Sequence, residues 1–427
     1  MKPEACLLER LERNAFSYFL QNTNPDNGLV ADNTNDGAPS SVAAVGLALS
    51  AYPIGVQREF LARKDAVDRV LLTLRFCANS DQSGQPDATG YKGFYYHFLD
   101  MNSGRRVWEC ELSTIDTAIL IAGALAAGVY FDRDCPEEQE IRRLADTLYQ
   151  RVEWRWAQNG RDTVCHGWKP ERGFLSYHWE GYCEAIILSV LGLGSPTQPL
   201  SPKSYQAWAS TYQWENLYGH DFLYAGPLFL HQLSHLWIDF RGIQDEFMAV
   251  HGIDYFENTR RAVFVQQQYA IHNPYEFTGY GAHCWGMTAG PGPEPAKGLV
   301  GGVPLHFFDY RARGVPHGPD DGTLAPWAVI AALPFAPEIV LPTLHYLEDT
   351  YPKMINDCGF LCAFNLSFGE DSSKPAGWTS GCHYGLDQGF VLLMIENYRS
   401  GFLWSQMRRC LYVRAGLRKA GFRKGWL

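Results

Sequence analysis

The stretch ELSTIDTAILIAGALAAGVY, residues 111–130, decides the fold class. Apolar residues recur through it at helical spacing, and Ser113 or Thr114 stands where a helix N-cap is expected. The spacing predicts a helix over 114–130, with Glu111 in the loop before it and Asp116 in its first turn. The same periodicity predicts helices over about 4–20, 41–52, 64–78, 136–156, 180–193, 203–211, 227–250, 254–272, 325–333, 336–351, 386–399 and 404–420. Convincing period-2 strands are few. Connectors rich in Gly, Pro, Asn and Asp separate the helices, chiefly at 22–39, 80–91 and the long 273–323. So many helices, joined by loops of uneven length, imply an all-α fold with helices paired in a ring. No low-complexity linker or fixed-period repeat divides the chain, so 1–427 is expected to be one domain, with 406–427 a basic C-terminal helix or tail.

Acidic residues outnumber basic ones and the net charge is −10, which sets the overall field against phosphate backbones and anionic lipid. Neither nucleic acid nor a membrane is expected as a partner. No window reaches the ~20 apolar residues that span a bilayer. The first residues interleave charges with apolar side chains and show no secretion signal. A cytoplasmic location is therefore expected as the sequence stands, and a periplasmic or secreted one if a leader has been removed. Eleven cysteines cannot all pair within the chain, and no paired CxxC spacing points to structural zinc. An aromatic share of 14% suits a cleft that stacks on sugar rings, and suits a bulky core equally.

Four constellations could carry chemistry. Glu111 and Asp116 meet at one helix entrance, although acids in a first turn also favour the helix dipole with no catalytic role. SYHWEGYCEA, residues 176–185, puts Glu180 and Glu184 four apart, on one face if the helix is continuous, among Tyr177, Trp179 and Tyr182. Burial among rings raises a carboxyl pKa, as a general acid requires, and glycoside hydrolysis generally uses two carboxyls across the scissile bond. In 226–247, His231 and His235 have metal-ligand spacing, but Gln232 replaces the Glu of an HExxH hydrolase. A polar stripe of His235, Asp239 and Arg241, bonded mutually or to sugar hydroxyls, is the expectation there. Asp320 and Asp321 precede a helix; capping accounts for one of them. No GxSxG elbow or P-loop is present. The 273–323 connector, with Tyr280, His283 and Trp285 among its rings, is too long and too aromatic to be an idle tether, and is expected to bury or bind.

Several motifs in order resemble the bacterial glucoamylase-like domain family, whose characterised branch is glycoside hydrolase family 144, the β-1,2-glucanases. They are ELSTIDTA (111–118), GYCEA (181–185) with LGSPT (193–197), HLWIDFRGIQD (235–245), DYFEN (254–258), DDGTLAP (320–326), LPFAPEI (333–339), and GLDQG (385–389) with MIENY (394–398). The resemblance runs from about residue 10 to about 405. It implies an (α/α)6 toroid that hydrolyses β-1,2-linked glucan or related gluco-oligosaccharides with inversion, without metal or organic cofactor. It further implies Asp116 and Glu184 as the essential acids with Glu111 close by, in an order it leaves open, and Asp387 of GLDQG in the substrate site. Inversion would separate the two carboxyls by ~6.5–9.5 Å. Departures from the family pattern fall at Cys183, at Ala282 and His283, and at Gly290 and Pro291, which points to altered subsites. A transglycosylase or a non-catalytic carbohydrate-binding protein on the same scaffold remain the alternatives, and the oligomeric state is open.

Overall fold

The computed structural model describes residues 3–300, 302–369 and 377–427. Its helices are α1 (Pro3–Gln21), α2 (Val42–Gln57), α3 (Arg63–Asn79), α4 (Thr114–Tyr130), α5 (Pro136–Gln150), α6 (Ile186–Gly194), α7 (Pro202–Ala209), α8 (Leu228–Gln232), α9 (Glu246–His251), α10 (Tyr255–His272), α11 (Pro326–Ala331), α12 (Pro337–Thr350), α13 (Gly385–Arg399), α14 (Phe402–Met407) and α15 (Leu411–Lys419). Strands are short, as the scarcity of period-2 patterning predicts.

The helices sort by burial. Every residue of α6 and α11 is buried, as are residues 42–55 of α2 and almost all of α4. A helix that is apolar all round must be enclosed by other elements. These helices touch in a cycle: α2 on α4, α4 on α6, α6 on the 3-10 turn Leu233–Leu236 that extends α8, α8 on α11, α11 on α13, and α13 back on α2. Around the cycle lie more amphipathic helices, with α1 on α13 and α2, α3 on α2 and α5, α5 on α4, α10 on α8, α12 on α11 and α15 on α6. Two glycines set the tightest approach in the cycle. A Cβ at Gly46 of α2 would strike the Ile119 backbone, and one at Gly123 of α4 would strike the carbonyl of Gly46.

The strands hold the helix entrances. Ser40–Ser41, just before α2, pairs with Phe98–Leu99, while Leu112–Ser113, just before α4, joins an antiparallel five-stranded sheet with Gly90–Tyr91, Phe94–Tyr96, Gly167–Lys169 and Gly173–Phe174. Gly385 N donates to Asp32 O at 2.8 Å, tying the start of α13 to the loop before α2. The N-terminal ends of α2, α4 and α13 are thereby laced together.

Four predicted helices need correction, the first being 136–156, which ends at Gln150. Residues 180–185 are irregular and α6 begins only at Ile186; Gly181 there has φ +76°. The 227–250 segment is broken after Leu236. Asp239 accepts from the backbone N–H of Arg241 at 3.1 Å, which competes with helical bonding, and Asp245 then caps a new helix at Met248 N. The 404–420 segment splits into α14 and α15. Val413, Leu417 and Phe422 of this basic end are buried in the same core as Leu7 and Leu193, while Arg418, Lys419, Arg423 and Lys424 stay exposed. The 273–323 connector carries a hairpin, Ala296–Val300 with Val303–Phe307, and a small core of Phe277, Val300 and Phe307.

Candidate active site

The lacing of helix entrances gathers carboxyls at one end of the cycle. Asp116 lies in the first turn of α4, where Ser113 Oγ caps its backbone N–H at 3.2 Å and also donates to its Oδ2. His97, at the bend between the strands Phe94–Tyr96 and Phe98–Leu99 that run between the α2 and α4 entrances, stands between two acids. Its Nδ1 is 2.8 Å from Glu111 Oε1, and its Nε2 is 3.6 Å from Asp116 Oδ2. Burial works against a charge on this ring, yet the fields of Asp116, Glu111 and Asp32 outweigh it and raise its pKa to about 9. Burial likewise works against the Glu111 carboxylate, but the bond and charge of His97 prevail and hold its pKa below the usual value.

Glu184 sits in the irregular turn before α6. Its carbonyl accepts from Ser234 Oγ at 2.9 Å, and the same hydroxyl accepts from Ile187 N at 3.0 Å, so the turn is anchored on the next wall segment. Burial, with the charge of Asp116 adding to it, raises the Glu184 carboxyl to about 7. Asp387, in the first turn of α13, is buried and raised to about 8, mainly by desolvation; a hydrogen bond to the Cys362 thiol opposes this and the charge of Asp32 adds to it. Asp32 itself is raised, first by burial and then by Asp116, against the lowering bond from Asn33 and the charge of His97. The Tyr310 phenol is pushed up first by burial and then by the charges of Asp387, Asp32 and Asp116, although the residue as a whole is 61% exposed. Asp32, Glu111 and Asp116 thus surround His97, with Glu184 linked to them through the charge of Asp116 and Asp387 through that of Asp32.

Asp32, His97 and Tyr310 were not among the residues expected from sequence. Asp32 lies in the polar connector before α2, where nothing sets it apart from its neighbours. Tyr310 lies within the aromatic connector already suspected of binding.

The other expected residues divide. Trp179 is buried, donates from Nε1 to Thr114 Oγ1 at 3.0 Å and stacks on His166 with centroids 3.8 Å apart, so it braces the start of α4. Tyr182 is buried against His231 and Tyr255. Glu180 is exposed and, without a continuous helix, shares no face with Glu184; its contact is the Thr163 hydroxyl at 3.3 Å. His235 is buried, 3.0 Å from Thr259 Oγ1, and burial lowers its pKa to about 3. Asp239 takes a bidentate bond from Arg241 and an ion pair from Arg408, beyond the C-terminal end of the α8 segment. These three are committed to the scaffold and do not join the acids. His231 is likewise occupied, with Nε2 3.1 Å from Ala225 O.

In the 273–323 connector, Asp320 accepts from Tyr280 and Tyr269 at 2.9 Å each, and burial raises it to about 6. Asp321 is fully buried on Arg313, with Nε to Oδ1 at 2.6 Å. Trp285, expected to stack on sugar, is 1% exposed and donates to Thr343 Oγ1, because its connector folds inward against α12. His283 is exposed, beside Tyr346. An exposed indole nearer the acids is Trp108, 69% accessible, which packs on Phe98 at 5.2 Å; Phe98 in turn stacks on His97 at 3.9 Å. Trp108 and Glu109 both have left-handed backbones, at φ +57° and +47°, a strained arrangement that favours no L residue and holds the indole outward.

A family model described as "Putative glucoamylase" matches residues 176–411, more than half of the chain. The chain belongs to this glucoamylase-like family. Among its relatives, an exo β-1,2-glucooligosaccharide sophorohydrolase (non-reducing end) of Parabacteroides distasonis is 27% identical over 97% of the chain, and the chain spans 57% of that relative's length. A "putative glucoamylase" from Bacteroides uniformis, of known structure, is 27% identical and superposes with a TM-score of 0.88 over 100% of this chain and 99% of its own. The endo-β-1,2-glucanase of Chitinophaga pinensis, solved with sophorotriose and glucose, is 25% identical with a TM-score of 0.85, both chains being covered completely.

Proposed function

We propose that this glucoamylase-like chain is a glycoside hydrolase that cleaves β-1,2-linked gluco-oligosaccharides with inversion, Glu184 giving the proton and Asp116 activating water. What carries the reading is the placement of Glu184 at the entrance of α6, next to α4, where burial and the charge of Asp116 together raise its carboxyl to about 7. A group that titrates near neutrality holds its proton long enough to deliver it to a departing glycosidic oxygen. Asp116 suits the opposite task by its place: its Oδ2 accepts from the Ser113 hydroxyl and lies 3.6 Å from His97 Nε2. Asp387, raised to about 8, would be protonated at neutral pH and suits donating a hydrogen bond to a sugar hydroxyl. The activities named for the P. distasonis and C. pinensis relatives supply the linkage.

The cycle of buried helices with its outer partners supports reading the fold as an (α/α)6 toroid, and the shared core supports reading 1–427 as a single catalytic unit. The test is incubation with a panel of glucans, product lengths followed by chromatography and the first-formed anomer by proton NMR. Release of the α-anomer from β-1,2-gluco-oligosaccharides is expected, and Asp116→Asn should lower turnover ~10²–10⁴-fold with KM little changed. Binding without turnover by the unaltered protein would make it a sugar-binding module instead, and immediate release of the β-anomer would exclude inversion.

A further inference from the structure

His97 is held from three directions. Its backbone N–H donates to Glu111 O at 2.9 Å and its carbonyl accepts from Val42 N at 3.1 Å, fixing it between the strand before α4 and the start of α2. Its ring lies on Phe98, centroids 3.9 Å apart and planes 13° apart. The ring is braced on one face, and both of its nitrogens face carboxylate oxygens: Nδ1 meets Glu111 at 2.8 Å and Nε2 meets Asp116 at 3.6 Å. A neutral imidazole carries one N–H and one lone pair, so it would turn a lone pair toward one of these acids; an imidazolium presents N–H groups to both.

We propose that His97 acts as a charged positioning residue, an imidazolium strut that carries the anchorage of Glu111 across to Asp116 and holds the Asp116 carboxylate oriented to take a proton from the attacking water. The assignment rests on the proposed reaction. Asp116 Oδ2 takes the Ser113 hydroxyl and faces the imidazolium, which leaves Oδ1 for a water molecule.

The charge balance around the ring favours the strut. Asp116 on α4, Glu111 on the strand before it and Asp32 in the loop before α2 all act on the ring, while Lys169 acts on Glu111 from the neighbouring strand. Glu184, through Asp116, and Asp387, through Asp32, add further acid to the group. Carboxyls so crowded raise one another's pKa, and a cation in their midst opposes this. Asp32, Glu111 and Asp116 share His97 as that cation, and its raised pKa, about 9, agrees with the geometry. Glu111 is then no second base. It is the anchor that keeps the ring charged.

Two readouts test the strut. The first is NMR titration of the labelled His97 ring and Asp116 carboxyl, resonances being identified from His97→Gln and Asp116→Asn. His97 should titrate well above ~6.5, the ordinary value, and should fall by ~1 unit or more in Glu111→Gln; Asp116 should rise by a similar amount in His97→Gln. The second is the pH profile of turnover on a β-1,2-gluco-oligosaccharide. In His97→Gln the acid limb should move upward by ~1 unit, with turnover reduced ~10-fold or more and KM nearly unchanged. A ring that titrates at or below its ordinary value overturns the proposal, as does a slower His97→Gln enzyme whose acid limb has not moved. If His97→Gln does not fold, Glu111→Gln decides through the ring titration alone. Wild-type protein inactive on this glucan but with coupled titrations would refute the substrate reading while supporting the link from His97 to Asp116.

Discussion

Replacing Glu184 by Gln removes the proposed proton donor while keeping its shape. At pH 7 a carboxyl with a pKa of about 7 is half protonated. At its ordinary value of 4.5 it would be protonated in only ~0.3% of molecules, so burial enriches the donor form ~150-fold. Loss of a general acid costs ~10²–10⁴-fold in rate, so Glu184→Gln should fall by that factor on β-1,2-gluco-oligosaccharides with KM retained. It should recover much of its activity on an aryl glycoside whose leaving group departs without a proton. The basic limb near pH 7 in the wild-type profile should vanish with it. Stability should move the opposite way. Below pH 4.5 the carboxyl is protonated in folded and unfolded chains alike; as pH climbs from 4.5 through 7 the unfolded chain releases its proton first, and the folded state loses stability. A 2.5-unit difference corresponds to at most about 3 kcal/mol, reached above pH 7 and absent in the Gln variant. Calorimetry should therefore find Glu184→Gln equal to wild type near pH 4 and higher-melting at pH 8. A variant with full turnover, or one less stable at pH 8, would refute both the donor role and the burial argument.

Asp321→Ala strands the buried Arg313 guanidinium, whose side chain is 1% exposed, and should cost about 3–5 kcal/mol in urea denaturation; a loss under about 1 kcal/mol would mean that water reaches the pair. Trp285→Ala should likewise cost about 3–5 kcal/mol by opening a cavity against α12, while the KM of the protein that remains folded is unchanged. Trp108→Ala should do the reverse, raising KM for the longer oligosaccharides with little change in turnover or melting temperature; identical kinetics on every chain length would show that the exposed indole touches no substrate.

The helix wall was legible because its signals are local. Apolar spacing and the Ser113 cap place α4 at Thr114–Tyr130, and the periodicity of 254–272 differs from α10 by one residue. What misled was also local. The 180–193 and 227–250 patterns read as unbroken helices, yet Gly181 and the side-chain turn at Asp239 end them, and neither effect shows in hydrophobic spacing. The site was legible as far as acids at helix entrances go, with Asp116 and Glu184 in one electrostatic group. His97 and Asp32 were out of reach because only the pairing of Ser40–Ser41 with Phe98–Leu99, and the bond from Gly385 to Asp32, bring them together across distant parts of the chain. Trp285 and Trp108 carry the same side chain, and composition cannot tell an indole folded inward from one held out by its backbone.

The paired glycines of α2 and α4 give the wall a fulcrum. Gly46, just over one turn into α2, touches Gly123, midway along α4, inward of the entrances that carry the acids. A single added methyl there would wedge the two rods apart, and a small tilt at the fulcrum becomes a larger displacement at the rim, where Asp116 must meet its water. Random mutagenesis screened for lost turnover should accordingly return hits at these two positions, whereas libraries aimed at new linkages belong at exposed connector positions such as Trp108.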